Sequence, residues 1–347
     1  MYKIFRDIEV AGVAGATPEE IETVAELMEK ADDKVRFVLK RVSALAGLSR
    51  RHMCPDDIYA SDLAAATGRE LLKRLDWRPD SVDSLYVATL SPDFLSPTTA
   101  NLVADALGLS SRCLNTDVND GCPGIIHSAL LACGLIDENQ PRSLVLGGTV
   151  LTKEGWKWGD GNYGNRILSG DGFAGFALEY KRGAPPISFY TYTAPDTELA
   201  LFHDGTGTRY LKTEGRAYSM KGDKVTEFCN AHVAESARIH LEKAGLEIDD
   251  IDVFYFHQAN KMIVSRLIKD LGITAEKAPM ILKDYANCHG ASVVMTACVN
   301  PTEKKRVRAM FSAFGTGLAV MSMIAEVDTS RIFPIIDVAE PCVVINA

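Results

Sequence analysis

An α/β fold built from two similar halves is what this sequence of 347 residues predicts, and three observations predict it. From Ser84 onward, apolar runs of strand length alternate with runs of helical periodicity. The order strand, helix, strand, helix, strand, strand then recurs from Asp252 to the end of the periodic region. Short phrases recur with it: Leu102-Val103-Ala104-Asp105-Ala106-Leu107-Gly108 resembles Leu267-Ile268-Lys269-Asp270-Leu271-Gly272. The expected division is residues 1–180 for the first half and 181–347 for the second. A site is expected at the seam between them.

The elements follow in order. Thr17-Pro18-Glu19-Glu20 carries a capping residue, a proline suited to the first helical position and a capping-box glutamate. A helix is therefore expected to start there, with Ile21, Val24, Ala25, Leu27 and Met28 as its stripe. Further helices are expected over 33–45 and 61–75. In the first half, strands are expected at 84–89, 113–118, 143–148 and 173–180, with helices at 98–107 and from Ile125. The 113–118 strand reads as buried. A helix over 224–243 joins the halves. In the second half, strands are expected at 252–256, 279–282, 308–314 and 318–327, with helices at 262–272 and 290–299. Gly155 to Asn165, rich in glycine and aromatics, reads as a loop, and Cys342-Val343-Val344-Ile345 as an added edge strand.

The composition, 47% hydrophobic and 24% charged, is that of an ordinary globular chain. A net charge of −9 without a basic stripe argues against a nucleic-acid binder. No apolar run reaches membrane-span length, and residues 1–9 lack the apolar core of a signal peptide. The eight cysteines form no Cys-x-x-Cys pair and no cluster with histidines, so neither a metal site nor a disulfide framework is expected. A reducing cytoplasm is the natural setting.

Three residues carry chemistry. Cys122 stands at a strand-to-helix turn, where free N–H groups and the helix dipole lower a thiol pKa; the alternative is a small buried cysteine. His257, in His257-Gln258-Ala259-Asn260, ends an apolar strand; the alternative is a histidine satisfied by backbone groups. Asn287 precedes Cys288-His289-Gly290-Ala291-Ser292, and alone reads as a helix cap. What sets them apart is coincidence: all three fall at strand ends facing one crevice. A thiol, an imidazole and a carboxamide are the parts needed to hold an acyl thioester and attack it with a carbon nucleophile. His127 and His289 read as packed residues, with an assisting role for His289 left open. Two Gly-x-Gly-x-x-Gly matches, at Gly159–Gly164 and Gly170–Gly175, lack the strand–turn–helix setting of a dinucleotide site.

Together with Asp117-Val118 ahead of Cys122, Gly170-Asp171-Gly172 and Ala313-Phe314-Gly315-Thr316-Gly317, these motifs resemble the thiolase-fold condensing enzymes. Their nearest branch is β-ketoacyl-acyl-carrier-protein synthase III, and the likeness runs from about Leu45 to Val327. The resemblance implies a thiolase-like, duplicated five-layer αβαβα fold, a homodimer and a catalytic Cys122-His257-Asn287 triad. Cys122 would take an acyl group from acyl-CoA or an acyl carrier protein. His257 and Asn287, as neutral donors, would hold a malonyl thioester while it loses carbon dioxide and attacks the acyl group. The backbone amides of Cys122 and Thr316 would form the oxyanion hole. Arg166 and Lys261 are the candidate substrate-binding cations, and Lys261, Arg266 and Lys269 could meet an acidic carrier. No permanently bound cofactor, metal, nucleic acid or membrane is implied.

Departures from the family pattern bear on the acyl donor. Residues 34–41 lack the tryptophan that stacks on the coenzyme A adenine, and Ser96, beside Leu95, stands where an aromatic gate caps the acyl tunnel. Leu90 and Ser91 replace the glutamate of the hydroxymethylglutaryl-CoA synthase branch. An acyltransferase acting on an oxygen or nitrogen acceptor is the alternative activity, and a catalytically silent partner subunit the non-enzymatic reading.

Overall fold

The structure is a computed structural model that describes residues 1–152, 167–196, 198–204 and 217–345. The chain begins with β1 (Tyr2–Phe5), β2 (Ile8–Pro18) and β3 (Ile21–Thr23). Next come α1 (Val24–Lys30), α2 (Asp33–Ala46), β4 (Arg50–His52) and α3 (Ala60–Leu75). An alternating run follows: β5 (Ser84–Thr89), α4 (Thr99–Leu107), β6 (Leu114–Val118), α5 (Gly124–Cys133), β7 (Arg142–Thr149) and β8 (Gly172–Tyr180). After β9 (Ile187–Thr193), β10 (Leu201–Asp204) and β11 (Ala217–Met220) comes the long α6 (Gly222–Ala244). The second alternation is β12 (Val253–Phe256), α7 (Lys261–Leu271), the short α8 (Leu282–Tyr285), α9 (Ala291–Val299), β13 (Arg306–Gly315) and β14 (Ala319–Asp328); β15 (Ile336–Val338) closes the described strands.

Besides the two-stranded pairs β3–β4 and β10–β11, the described strands form one continuous eleven-stranded sheet that divides into two layers. One runs β6-β5-β7-β8-β2, with β15 on the outer edge of β2; the other runs β12-β13-β14-β9-β1. The parallel pair Val327↔Val10 joins them. In each sheet a parallel pair leads into antiparallel neighbours: β5 beside β7 and then β8, β12 beside β13 and then β14.

The helices sort by their apolar pattern. α5 (Gly-Ile-Ile-His-Ser-Ala-Leu-Leu-Ala-Cys) and α9 (Ala-Ser-Val-Val-Met-Thr-Ala-Cys-Val) are apolar nearly all round, which only a layer covered on both sides accepts. They lie between the sheets, and each touches strands of both. α3 and α4 cover the outer face of the first sheet, α6 and α7 that of the second. The result is five layers, αβαβα. The central core includes Ile125, Ile126, Val293, Val294 and Phe311, all fully buried. Burying one such side chain stabilises by about 2 kcal/mol.

Four local expectations are corrected. The first helix starts at Val24, not Pro18: β15, from the far end of the chain, pairs with Ala16, Thr17 and Pro18 and keeps them extended. The capping box forms later, from Thr23 and Glu26. Residues 279–282 form no strand; side-chain bonds from Gln258 to the Pro279 carbonyl and the Ile281 N–H hold that segment instead. Residues 342–345 form no edge strand, because β15 occupies that edge and the Asp62 carboxylate takes the Cys342 and Val343 N–H groups. Finally, β6 lies at a sheet edge and is half-exposed rather than buried. The Gly155–Asn165 segment and the Gly159–Gly164 match lie outside the described residues.

Candidate active site

Cys122, His257 and Asn287 line one cavity of about 130 Å³, together with Ser169, Cys229, Asn260, Ile263, His289, Phe314 and Gly315. Cys122 and His257 follow strand ends, and Asn287 follows the short helix α8. Cys122 sits in the turn between β6 and α5, with Gly121 in the left-handed region at φ +57°. His257 continues β12: its N–H donates to the Ser312 carbonyl at 2.8 Å, as a further rung of the ladder to β13. Asn287 is tied by its N–H to the Leu168 carbonyl at 2.9 Å, and its carbonyl accepts from Gly170 N–H at 3.1 Å. The Gly170-Asp171-Gly172 turn is itself anchored. The buried Asp171 carboxylate accepts from the N–H groups of Cys54, Leu151 and Thr152 and from the Thr152 hydroxyl.

The side chains are held in defined states. Asn287 Oδ1 accepts from the His289 N–H at 2.8 Å, so Nδ2 is left as a donor for the cavity. His257 Nδ1 lies 3.0 Å from both the His289 carbonyl and Ser292 Oγ. A carbonyl only accepts, so Nδ1 carries the ring proton and the neutral ring presents a lone pair at Nε2. The expectation of a neutral donor at His257 is corrected accordingly: Nε2 donates once it takes up a second proton. Burial lowers the His257 pKa to about 4, partly offset by the bond to the His289 carbonyl.

A second correction concerns the thiol. Burial, with the neighbouring Cys229, pushes the Cys122 pKa up to about 12, outweighing the turn's N–H groups. Sequence reasoning also underweighted His289. Its Nδ1 lies 3.7 Å from Cys122 Sγ, and its Nε2 3.4 Å from Ser169 Oγ. Its backbone φ of +50° is the available signal, because histidine rarely adopts that region, but a sequence does not print φ. Cys288 faces away, toward the carbonyls of Asp171 and Tyr285. His127 is paired with Asp120 at 2.9 Å and partly exposed, rather than packed.

Residues 241–327 match the family described as 3-oxoacyl-[acyl-carrier-protein] synthase III, C-terminal. A β-ketoacyl-[acyl-carrier-protein] synthase III of Oenococcus oeni is 29% identical over 332 residues, covering 92% of this chain and 99% of its own length. The chain is similar to the β-ketoacyl-acyl-carrier-protein synthase III family along nearly its whole length. Solved folds agree. The 3-oxoacyl-(acyl-carrier protein) synthase of Burkholderia xenovorans superposes with a TM-score of 0.88 at 24% identity, over 97% of this chain and 99% of its own. The synthase III of Thermus thermophilus does so at 0.78 and 26%, over 91% and 98%.

The other expected site residues are placed as follows. Gly315, at φ +150°, brings the β13–β14 turn against Cys122: a Cβ there would stand 3.2 Å from Sγ. Thr316 abuts Gly121. Lys261 is exposed at the start of α7, its stem packed across Gly47, while its neighbours Asn260 and Ile263 reach the cavity. Arg166 lies outside the described residues. Among the described residues, no group of His, Cys, Asp and Glu could hold a metal ion, and no helix is long and apolar enough to cross a membrane.

Proposed function

We propose that the chain forms an acyl thioester on Cys122 and condenses it with a malonyl thioester, releasing carbon dioxide and a β-ketoacyl thioester. One observation carries the reading: a thiol, an imidazole and a carboxamide from three distant segments share one cavity. In the first half-reaction Cys122 Sγ displaces the thiol of acyl-CoA or an acyl carrier protein. The N–H groups of Cys122 and Thr316 take the developing oxyanion, a role supported by the approach of Gly315 and Thr316 to the Cys122 turn. In the second, Asn287 Nδ2 donates to the malonyl carbonyl; as enolate charge grows, His257 Nε2 takes up a proton from water and donates to the same oxygen, and it gives that proton up when Cys122 leaves as the thiolate. The enolate carbon attacks the acyl carbonyl and Cys122 leaves.

The same proposal extends to partners and setting. Lys261 and Lys269 are exposed on α7, near the cavity residue Asn260, and suit an acidic carrier; Arg266 on the same helix is held by Asp270 at 2.7 Å. A homodimer is supported by the open edge of β6 and by Leu95, 84% exposed. A cytoplasmic setting suits eight cysteines without a disulfide. Residues 1–180 and 181–347 are taken as the two halves of a duplication, a reading supported by the parallel pair that leads into an antiparallel neighbour in each half.

The test is direct. Incubation with a panel of acyl-CoAs gives a mass shift that Cys122→Ala abolishes, and malonyl-carrier protein then yields an extended product. An acyl adduct that passes to oxygen or nitrogen acceptors without any chain extension assigns the alternative acyltransferase activity. No adduct from any donor removes the enzymatic reading.

A further inference from the structure

His289 stands apart from the triad yet touches the reacting sulfur. Its Nδ1 is 3.7 Å from Cys122 Sγ, and the ring is fully enclosed in the same cavity. From behind, Ser169 Oγ lies 3.4 Å from Nε2. Ser169 is in turn fixed: its carbonyl accepts from Arg51 Nη1 at 2.9 Å, and the Arg51 guanidinium pairs with Glu22 at 2.6 Å. With Nε2–H donating to Ser169 Oγ, the neutral ring directs the Nδ1 lone pair at the thiol.

The backbone adds a second, independent observation. His289 is held at φ +50° by the bond from its N–H to Asn287 Oδ1, and its carbonyl accepts from the Ser292 hydroxyl at 2.6 Å. Histidine is among the few non-glycine residue types that enter this region, and here the turn brings its ring to Cys122.

We propose that His289 is the general base of the first half-reaction, accepting the Cys122 thiol proton as Sγ attacks the acyl donor. The step rests on the condensing reading above. The S–H bond breaks, its proton passes to Nδ1, and the sulfur's electron pair forms the bond to the acyl carbon. The donor's C–S bond then breaks, and its thiolate leaves with the proton from Nδ1, returning His289 to its neutral form. No other reactant is needed. Such a base is required because the buried thiol ionises so little: with its pKa pushed up to about 12, on the order of one thiol in 10⁵ is thiolate at neutral pH. Burial and the adjacent His257 and His203 keep His289 neutral, its pKa lowered to about 3, so the lone pair is present at physiological pH. The acceptor is therefore a weak base that acts on a proton already in line, and releases it readily.

The experiment compares His289→Asn, which tolerates the left-handed backbone and keeps a polar side chain, with His289→Gln and His289→Ala. Two rates are read in each: acylation of Cys122 by acyl-CoA in rapid quench, and alkylation of Cys122 by iodoacetamide. Both fall by about 10²- to 10⁴-fold in the Asn and Gln variants, the span expected for loss of a positioned base. Added imidazole restores part of the rate in His289→Ala, which a merely structural role would not allow. Acylation and alkylation both within threefold of the parent in folded Asn and Gln variants overturn the assignment. If the parent takes no acyl group from any donor, the condensing reading fails, while the alkylation rates still decide the role of His289.

Discussion

A methyl group added at Gly121 tests how the cavity is assembled. A Cβ at Gly121 would stand 2.5 Å from Thr316 Cβ, whereas ordinary contacts lie at 3.4–4 Å. The Thr316 Cβ is fixed to its backbone, so rotating the side chain gives no relief. The β13–β14 turn must move by about 1 Å away from Cys122, and a misplacement of that size costs about 10²-fold in a reaction that depends on alignment. A second cost is backbone strain: alanine at φ +57° costs about 1–2 kcal/mol. For a chain of 347 residues that lowers Tm by about 2 °C. Gly108 supplies the control, since it has φ +66° but nothing within 4 Å of its Cβ position. Gly108→Ala therefore carries the strain without the clash. The expected result is a small Tm loss in both variants and an acylation rate, followed by mass spectrometry after rapid quench, that falls about 100-fold only in Gly121→Ala. Equal acylation rates in the two variants would refute the argument that contact between these turns positions the site.

Three further outcomes are expected. Asn287→Asp keeps the Oδ1 acceptor for the His289 N–H but replaces the Nδ2 donor with charge. It should retain its Tm and lose about 10²-fold in malonyl decarboxylation, with a smaller loss in acylation, and equal losses in both count against the assignment. Ser292→Ala removes the buried hydroxyl that accepts from the Gln258 N–H and borders His257 Nδ1. Leaving that N–H unpaired costs about 1–3 kcal/mol and lowers Tm by about 2–4 °C, with slower condensation; an unchanged Tm refutes it. Stability should also fall in acid. His240, His257 and His289 have folded pKa values lowered by burial to about 3, 4 and 3, below the ordinary value of 6.5. Between those values the unfolded chain binds protons that the folded one refuses. Stability is then full above pH 6.5 and declines toward pH 4, by at most about 1.4 kcal/mol per pH unit for each histidine. His127, raised by its bond to Asp120, and the carboxyls of Asp93, Asp117 and Asp171, raised by burial, oppose this. Urea midpoints that stay constant from pH 7 to 4.5 would contradict this account.

Much of the fold was legible because periodicity reports burial directly. α5 and α9 are apolar all round, and only a layer between two sheets accepts such helices. The alternation of strand and helix announced the α/β class, and the junction motifs marked Cys122, His257 and Asn287 without any contact being visible. These are local properties: side-chain pattern, turn chemistry and residue type at a strand end. The tertiary structure decided what depends on distant partners. Pairing with β15 turned the expected helix start at Thr17 into a strand, and Gln258 held residues 279–282 without a ladder. Enclosure reversed the expected direction of the Cys122 pKa, since desolvation is set by everything packed around a group. The bond from His257 Nδ1 to a carbonyl chose its tautomer, and a left-handed turn delivered His289 to the sulfur. A sequence states which groups exist; their protonation and reach arise only when segments far apart along the chain exclude water together.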